Sequence, residues 1–194
     1  MREPTRDTLI IGINASRNRS GGAKNHLIGI LSELDPSKYG IGVVHVWSYK
    51  TLLDHIPDKA WLKKHNPTEC EASLIKQVWW ERYKFHKEAK KVGCDIVLNT
   101  DAGTVSKFRP SVTMSRDMLE HETSELSRFG FSKAGMRLRL LRKINYRAFM
   151  NSDGVIFLSE YAAKVIQMCC GQLQNIAIIP HGVSRIFKET CREE

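Results

Sequence analysis

Apolar residues occur along the chain in two alternating patterns. Short runs rich in β-branched residues predict six strands, which are Thr8–Ile13, Ile41–Trp47, Cys94–Leu98, Ser111–Met114, Gly154–Leu158 and Ile176–Ile179. Longer segments between them carry apolar residues at helical spacing and predict helices near 23–34, 72–92, 133–150 and 160–170. Strands that alternate with helices in this way are typical of an α/β protein.

The alternation predicts a single Rossmann-like domain, in which a doubly wound parallel sheet carries helices on both faces. Ligands of such sheets bind beyond the carboxyl ends of the strands. Function is therefore expected in the loops after Ile13, Trp47, Leu98, Met114, Leu158 and Ile179.

Two of the predicted helices have distinctive sequences. The segment 72–92 is expected to form one long amphipathic helix built on Leu74, Ile75, Val78, Trp79, Tyr83 and Phe85. On a helical wheel of the segment 134–150, one face carries Leu140, Leu141, Ile144 and Ala148. The other face carries Arg139, Arg142, Lys143, Tyr146 and Arg147. This second helix is therefore both amphipathic and cationic.

Composition narrows the class of protein. A chain of 194 residues suits one domain, and its 42% hydrophobic and 26% charged residues are ordinary for a globular protein. No apolar stretch is long enough to span a bilayer and the N-terminus lacks the apolar core of a secretory signal, so a cytoplasmic location is expected. The cysteines include no CxxC pair and the histidines no HExxH pair, so neither a disulfide framework nor a metal site is predicted.

The positive charge of the chain indicates an anionic partner. Thirty Lys and Arg against 21 Asp and Glu give a net charge of +9. The segment 126–150 contains several basic residues and no acidic ones. An anionic membrane surface is therefore one candidate partner of Arg139, Arg142, Lys143 and Arg147. A solvated outer face of a helix explains the same pattern. Nucleic acid is not expected, because no recognition signature accompanies the charge.

The loop after the first strand has the features of a phosphate site. It runs from Asn14 to Gly22, and the predicted helix begins just after two adjacent glycines. A helix N-terminus offers free N–H groups to an anion, and glycine lets the backbone approach a ligand closely. Ser20, Gly21 and Gly22 are the candidate phosphate residues, with Arg17 beside them. Neither standard nucleotide fingerprint is present, and a plain tight turn explains the glycines equally well.

Polar residues after three later strands are candidates for lining the same cleft. The loop after Met114 contains Arg116, Asp117, Glu120 and His121, which suit general acid–base chemistry but are equally expected in an acidic helix start. Asn99 and Asp101 follow another strand, where loop geometry is a sufficient explanation. Ser159 has the position of a helix N-cap and needs no ligand to explain it.

Three segments, taken in chain order, resemble glycosyltransferase family 4. They are Arg19–His26 after the first strand, Phe157–Tyr161, and Ile179-Pro-His-Gly-Val183 followed by Phe187. The resemblance implies a GT-B fold and retaining transfer of a sugar from a nucleotide diphosphate donor, with no metal and no cofactor beyond the donor substrate. The acceptor would be a glycan or a lipid-linked molecule.

The resemblance also implies roles for individual residues. Gly21 and Gly22 would lie against the donor phosphates, and Asp117 is the first choice and His121 the second for the active-site polar residue. The acceptor side of the cleft would include Arg17, Asn99, Asp101, Arg116, Glu120, Ser159 and His181.

The family pattern continues with a second Rossmann domain, which carries the donor-binding Arg or Lys pair and an E-x7-E element. We expect residues 1–181 to form the acceptor-binding domain and residues 182–194 to begin the linker. An excised domain, a truncated reading frame or one subunit of a split enzyme would each explain the absence of the donor residues here. The alternative interpretation is a non-catalytic module that binds a glycan, a lipid or a phosphate ligand, or that pairs with another chain.

Overall fold

A computed structural model describes residues 8–130 and 132–182, with the backbone alone for residues 123–125. Its centre is a sheet of seven strands, all parallel, in the order β3-β2-β1-β4-β5-β6-β7. The strands are β1 Leu9–Asn14, β2 Ile41–Trp47, β3 Leu62–His65, β4 Ile96–Asn99, β5 Ser111–Ser115, β6 Gly154–Phe157 and β7 Ile176–Ile178. The predicted parallel α/β domain is confirmed.

Eight α-helices connect the strands in the described part of the chain. They are α1 Gly21–Glu33, α2 Lys50–His55, α3 Thr68–Glu71, α4 Leu74–Tyr83, α5 Phe85–Lys91, α6 Thr123–Arg128, α7 Lys133–Asn151 and α8 Glu160–Cys170. The chain moves outward from β1 to β3 and then returns to β4 and moves the other way. Because such crossovers are right-handed, α1 and α2 cover one face and α4, α5, α7 and α8 the other. None of the described helices is long and apolar enough to cross a membrane.

The sheet is packed on two buried apolar clusters. The larger surrounds β1, β2 and β4, and includes Trp47, Trp80 and Phe85. The smaller joins β6 to α7 and α8, through Phe149, Phe157 and others. The boundary between the two clusters lies near β4 and β5, where the strands end in polar residues.

Strand β3 and the division of the segment 72–92 differ from the sequence prediction. Strand β3 has the sequence Leu-Lys-Lys-His, without β-branched residues, because it is an edge strand that adds to β2 mainly through backbone hydrogen bonds. The expected single helix is two helices, since α4 ends at Tyr83 and α5 begins at Phe85. The break at Lys84 allows Trp80 and Phe85 to pack together in the core, with ring centroids 5.4 Å apart.

Helix α4 buries two polar side chains and exposes several apolar ones. Its buried side chains are Gln77, Trp80 and Glu81, whereas Ile75 is 81% exposed and Trp79 49%. An amphipathic helix normally packs the opposite way. The buried polar residues form hydrogen bonds near the strand ends. Gln77, for example, donates from its side-chain amide to the Ser16 carbonyl. The outer apolar residues have no partner element among the described residues.

Helix α7 also faces the sheet differently from the prediction. The expected apolar face included Leu140, but this side chain is 60% exposed. The buried side of the helix consists of Gly135, Asn145, Ala148 and Phe149. Of the predicted apolar face, Ala148 is buried and Leu141 and Ile144 are half-buried, so the prediction is wrong at Leu140 and missed the buried polar Asn145. The cationic side is confirmed as accessible at Arg139, Lys143 and Arg147.

Candidate functional site

A buried carboxylate organises the carboxyl ends of β1 and β4. Glu81 reaches there from α4, and its side chain is 0% exposed. One oxygen accepts hydrogen bonds from Asn14 Nδ2 at 2.8 Å and Thr104 Oγ1 at 2.5 Å. The other accepts from Arg17 Nη2 at 2.7 Å and Nε at 3.1 Å, so two donors of the guanidinium share one oxygen in an ion pair. Both carboxylate oxygens of Glu81 accept hydrogen bonds, so this residue connects the loops that follow β1 and β4.

The loops after β1, β4 and β5 meet beside this carboxylate. Arg116 donates from Nη2 to Asn18 Oδ1 at 3.1 Å and lies 3.4 Å from Asp101 Oδ2. A Cβ atom added at Gly103 would lie 2.8 Å from Asp101 Oδ1 and 3.1 Å from Arg17 Nη1. Only glycine fits there without moving its neighbours. The structure thus brings Arg17, Asp101 and Arg116 together.

The β5–α6 loop carries one exposed and two buried titratable groups. Asp117 is exposed, whereas Glu120 and His121 are buried. Burial raises the pKa of Glu120, whose carboxylate accepts a hydrogen bond from Asn145 Nδ2 at 2.5 Å. Burial, with a smaller effect of the Arg142 charge, lowers the pKa of His121 to about 4. His121 is therefore neutral at physiological pH.

Five buried polar atoms without a hydrogen-bond partner cluster around this loop. They are Ser115 Oγ, Arg116 Nε, Asn145 Oδ1 and both ring nitrogens of His121. A buried polar atom left unpaired costs about 1–3 kcal/mol, so folded proteins keep few of them. Their concentration at the carboxyl end of β5 is typical of a site that binds polar groups.

The N-terminus of α1 is open and carries two glycines that the fold does not require. Ser20 is the N-cap and accepts a hydrogen bond from Ala23 N at 3.4 Å. Gly21 and Gly22 are exposed and helical, and a Cβ atom at either position would meet nothing within 4 Å. Neither backbone strain nor packing explains these glycines. The absence of side chains leaves the backbone at the helix N-terminus open to close approach by another molecule.

The two arginines next to these glycines are held by the protein itself. Arg17 is paired with Glu81, and the Arg19 guanidinium lies 3.7 Å from the centroid of the Tyr49 ring. Arg19 also donates to the Cys70 carbonyl at 2.6 Å. Glu81 therefore neutralises the charge of Arg17, whereas Arg19 keeps its charge and adds to the positive potential of the N–H groups at the start of α1.

His181 lies at the same edge of the sheet. Its ring packs edge-on against His26 of α1, with centroids 4.3 Å apart. Burial, followed by the charges of His181 and Arg116, lowers the pKa of His26. The Pro-His-Gly segment after β7 therefore borders the loops after β1 and β5. Val183 and Phe187, which belong to the family resemblance, lie outside the described residues.

Two predicted site residues have structural roles that account for them. Ser159 caps α8 by accepting a hydrogen bond from Ala162 N at 3.1 Å. Asn99 lies in the network of Glu81, with its Oδ1 accepting from Asn14 Nδ2 at 3.3 Å and Thr104 Oγ1 at 3.2 Å. Among the described residues, no group of three His, Cys, Asp or Glu side chains could hold a metal ion.

The sequence prediction missed several residues of this site. Glu81 is the main omission, together with Asn18, His26 and Asn145. Asn18 lies within the polar loop that was singled out, but Glu81 and Asn145 are in helices among many other polar residues. No feature of the sequence distinguishes them, because their burial depends on how α4 and α7 rotate against the sheet.

The buried His121 is expected to make stability depend on pH. Its pKa of about 4 in the folded chain lies below the ordinary 6.5, so the unfolded chain binds more protons as the pH falls from 6.5 to 4. The free energy of unfolding should fall by roughly 3 kcal/mol over that interval because of this group. Urea unfolding of wild type and His121→Phe at several pH values measures this fall, which should be smaller by that amount in the variant, because other histidines such as His26 also have a lowered pKa. The exposed His55→Phe variant should keep the wild-type dependence, and equal slopes for all three chains would contradict the prediction.

Comparisons with known proteins bear on the fold. The sequence matches no family model, and no curated protein matches it. The structure is similar to that of Anabaena Alr3699/HepE, which was crystallised in complex with UDP-glucose. The TM-score is 0.52 at 18% sequence identity, over 91% of this chain and 44% of that one. This chain therefore spans less than half of the length of the Anabaena protein and has a Rossmann-like α/β fold similar to part of it.

Proposed function

We propose that this chain is the acceptor-binding half of a retaining glycosyltransferase of the GT-B type, as in family 4. The enzyme would transfer a sugar from a nucleotide diphosphate donor to a glycan or a lipid-linked acceptor. One observation carries the proposal: the open, glycine-bearing N-terminus of α1 and the unpaired polar atoms of the β5–α6 loop border one edge of the sheet. The complex of the structurally similar Anabaena protein with UDP-glucose supports the choice of donor class.

The donor diphosphate would face the start of α1. The N–H groups of Gly21 and Gly22 and the helix dipole favour an anion there, and no acidic residue lies in the first turn. Because Arg17 is held by Glu81, it would position the loop and leave the phosphate contacts to the backbone.

The acceptor would lie against the β5–α6 loop. Asp117 is our first choice for the group that contacts the reacting hydroxyl, because it is an exposed carboxylate at a strand end. His121 is the second choice. A pKa of about 4 makes it a neutral hydrogen-bonding group at physiological pH and a poor general base. Glu120, fixed by Asn145, would position this loop.

The proposal requires donor-binding residues from elsewhere. A second domain or a separate subunit would supply them, and the enzyme would act in the cytoplasm, on the inner face of the membrane if its acceptor is lipid-linked. The isolated chain is then expected to bind the donor weakly and to turn none of it over.

Amide NMR of the purified chain tests the donor side of the cleft. Titration with UDP-glucose or pyrophosphate should shift the amide signals of Gly21, Gly22 and Ala23, whereas uridine alone should leave them unchanged, because the helix N-terminus recognises phosphate. No release of glucose from UDP-glucose is expected from this chain by itself. Unchanged signals at these three amides, or turnover without a partner, would contradict the proposal.

A further inference from the structure

A groove with apolar walls lies between α4 and α7, and its lining extends to Asn99 and Thr104 in the Glu81 network at the strand ends. The connection from β4 to β5 contains no helix, so the sheet face between α4 and α7 is covered only by the loop 100–110. The groove has a volume of about 560 Å³. Small-molecule sites occupy roughly 300–1,000 Å³, so this space is large enough for a ligand.

Apolar side chains form both walls of the groove. Helix α4 contributes Ile75, Val78 and Trp79 from the side that it turns outward, and α7 contributes Ile144 and Ala148. Ile75 and Trp79 are exposed, whereas Ile144 is half-buried and Ala148 buried. Exposed apolar side chains beside a groove are typical of a binding surface. The reversed orientation of α4 has an explanation if its outer side binds an apolar molecule.

Three hydroxyl groups that line the groove already have partners within the protein. Thr104 Oγ1 donates to Glu81, Ser152 Oγ donates to the Ala148 carbonyl at 2.8 Å, and Ser106 Oγ accepts from Phe108 N at 3.2 Å. A sugar would need free donors and acceptors along the floor. A hydrocarbon chain needs none, so the groove favours a hydrocarbon over a glycan.

A basic cavity adjoins the groove along α7. Its volume is about 480 Å³, and Arg139, Arg142 and Lys143 line it. Arg147 and Asn151 line both the cavity and the groove, and Arg82 lines the groove from α4. No acidic side chain of the described residues lines either space. An anionic group at Arg147 would therefore meet only complementary charge.

We propose that the groove binds the hydrocarbon chain of a lipid phosphate, whose phosphate group is held by Arg147 at the border of the basic cavity. The chain would lie between Trp79 and Ile144, and Arg142 and Lys143 would attract the rest of an anionic head group. This inference rests on the proposed function, because it takes the bound lipid to be the acceptor of the sugar. It assigns the lipid-linked class of acceptor to this chain and gives the basic face of α7 a specific ligand.

Calorimetric titration of the purified chain with monomeric dodecyl phosphate tests the groove. Burial of its methylene groups favours binding, so dodecyl phosphate should bind at least about tenfold more tightly than inorganic phosphate. The variant Ile144→Trp fills the groove and should weaken binding at least about tenfold. Arg147→Ala should weaken it about fivefold or more, through the loss of the phosphate contact.

Two control variants on the same helix match these changes. Leu140→Trp and Arg137→Ala alter exposed residues that line neither space, and should bind dodecyl phosphate within about twofold of wild type. Wild-type affinity in Ile144→Trp, or equal affinity for dodecyl phosphate and inorganic phosphate, would overturn the inference. Binding to vesicles that contain phosphatidylglycerol without any binding of monomeric dodecyl phosphate would also overturn it, and would indicate a general membrane contact. Loss of the UDP-glucose response at α1 would affect none of these measurements.

Discussion

Replacing Glu81 by alanine is expected to lower the free energy of unfolding by about 3–5 kcal/mol, the cost of removing one partner of a buried ion pair. The substitution leaves the Arg17 guanidinium, which is 17% exposed, without its carboxylate. It also removes the nearer of two acceptors of Asn14 Nδ2 and of Thr104 Oγ1, which keep only the longer contacts with Asn99 Oδ1. Urea unfolding at neutral pH measures the loss.

Two further variants distinguish the cost of an unpaired Arg17 charge from the cost of the lost hydrogen bonds. Asp54→Ala removes the exposed pair with Lys50, and should cost no more than about 0.5 kcal/mol. The double variant Arg17→Met with Glu81→Leu removes both charges, and should be more stable than Glu81→Ala by about 2 kcal/mol or more. A Glu81→Ala chain as stable as Asp54→Ala would show that the pair contributes nothing to holding the loops.

Replacing Gly21 and Gly22 together by alanine is expected to weaken the response to UDP-glucose or pyrophosphate at least about tenfold, which corresponds to the loss of one charged hydrogen bond. The two methyl groups would stand where the phosphate must approach the backbone. The fold should not suffer, because the added Cβ atoms meet nothing within 4 Å. Alanine in place of a helical glycine should stabilise the chain by up to about 1 kcal/mol per site. Amide NMR titration and urea unfolding measure the two effects.

Gly29 provides a control within the same helix. It is also exposed, and an added Cβ atom there also meets nothing within 4 Å. Gly29→Ala should raise stability in the same way and leave the titration unchanged, because it lies two turns from the helix N-terminus. If the double variant responds to UDP-glucose as wild type does, the donor phosphates do not lie at Gly21 and Gly22.

Periodicity was sufficient to predict most of the sheet. The buried strands β1, β2, β4, β5 and β6 have apolar, mostly β-branched sequences that a parallel sheet with two covered faces requires. Strand β3 was not predicted, because its two lysines suit an exposed edge strand and break the apolar pattern. The orientations of α4 and α7 against the sheet were not fully predicted either, because a helical wheel assumes that apolar residues turn inward. Here the polar Glu81 and Asn145 are buried by hydrogen bonds that no local pattern reveals.

The candidate site was predictable in position but only partly in composition. The rule that ligands bind at the carboxyl ends of parallel strands led directly to the loops of Arg17, Asp101 and Arg116, which the structure brings together. The remaining members come from helices α4 and α7, whose contribution depends on tertiary packing. The assignment of Asp117 and His121 to catalysis remains a prediction.

Trp79 and Glu81 are separated by one residue on α4, yet one lines the groove and the other anchors Arg17 at the strand ends. A small rotation or translation of this helix must therefore displace both side chains at once. If a ligand in the groove favours one position of α4, it also changes the geometry that a ligand in the cleft encounters. Thermodynamic linkage makes the effect reciprocal, so each of the two ligands would alter the affinity of the chain for the other by the same factor.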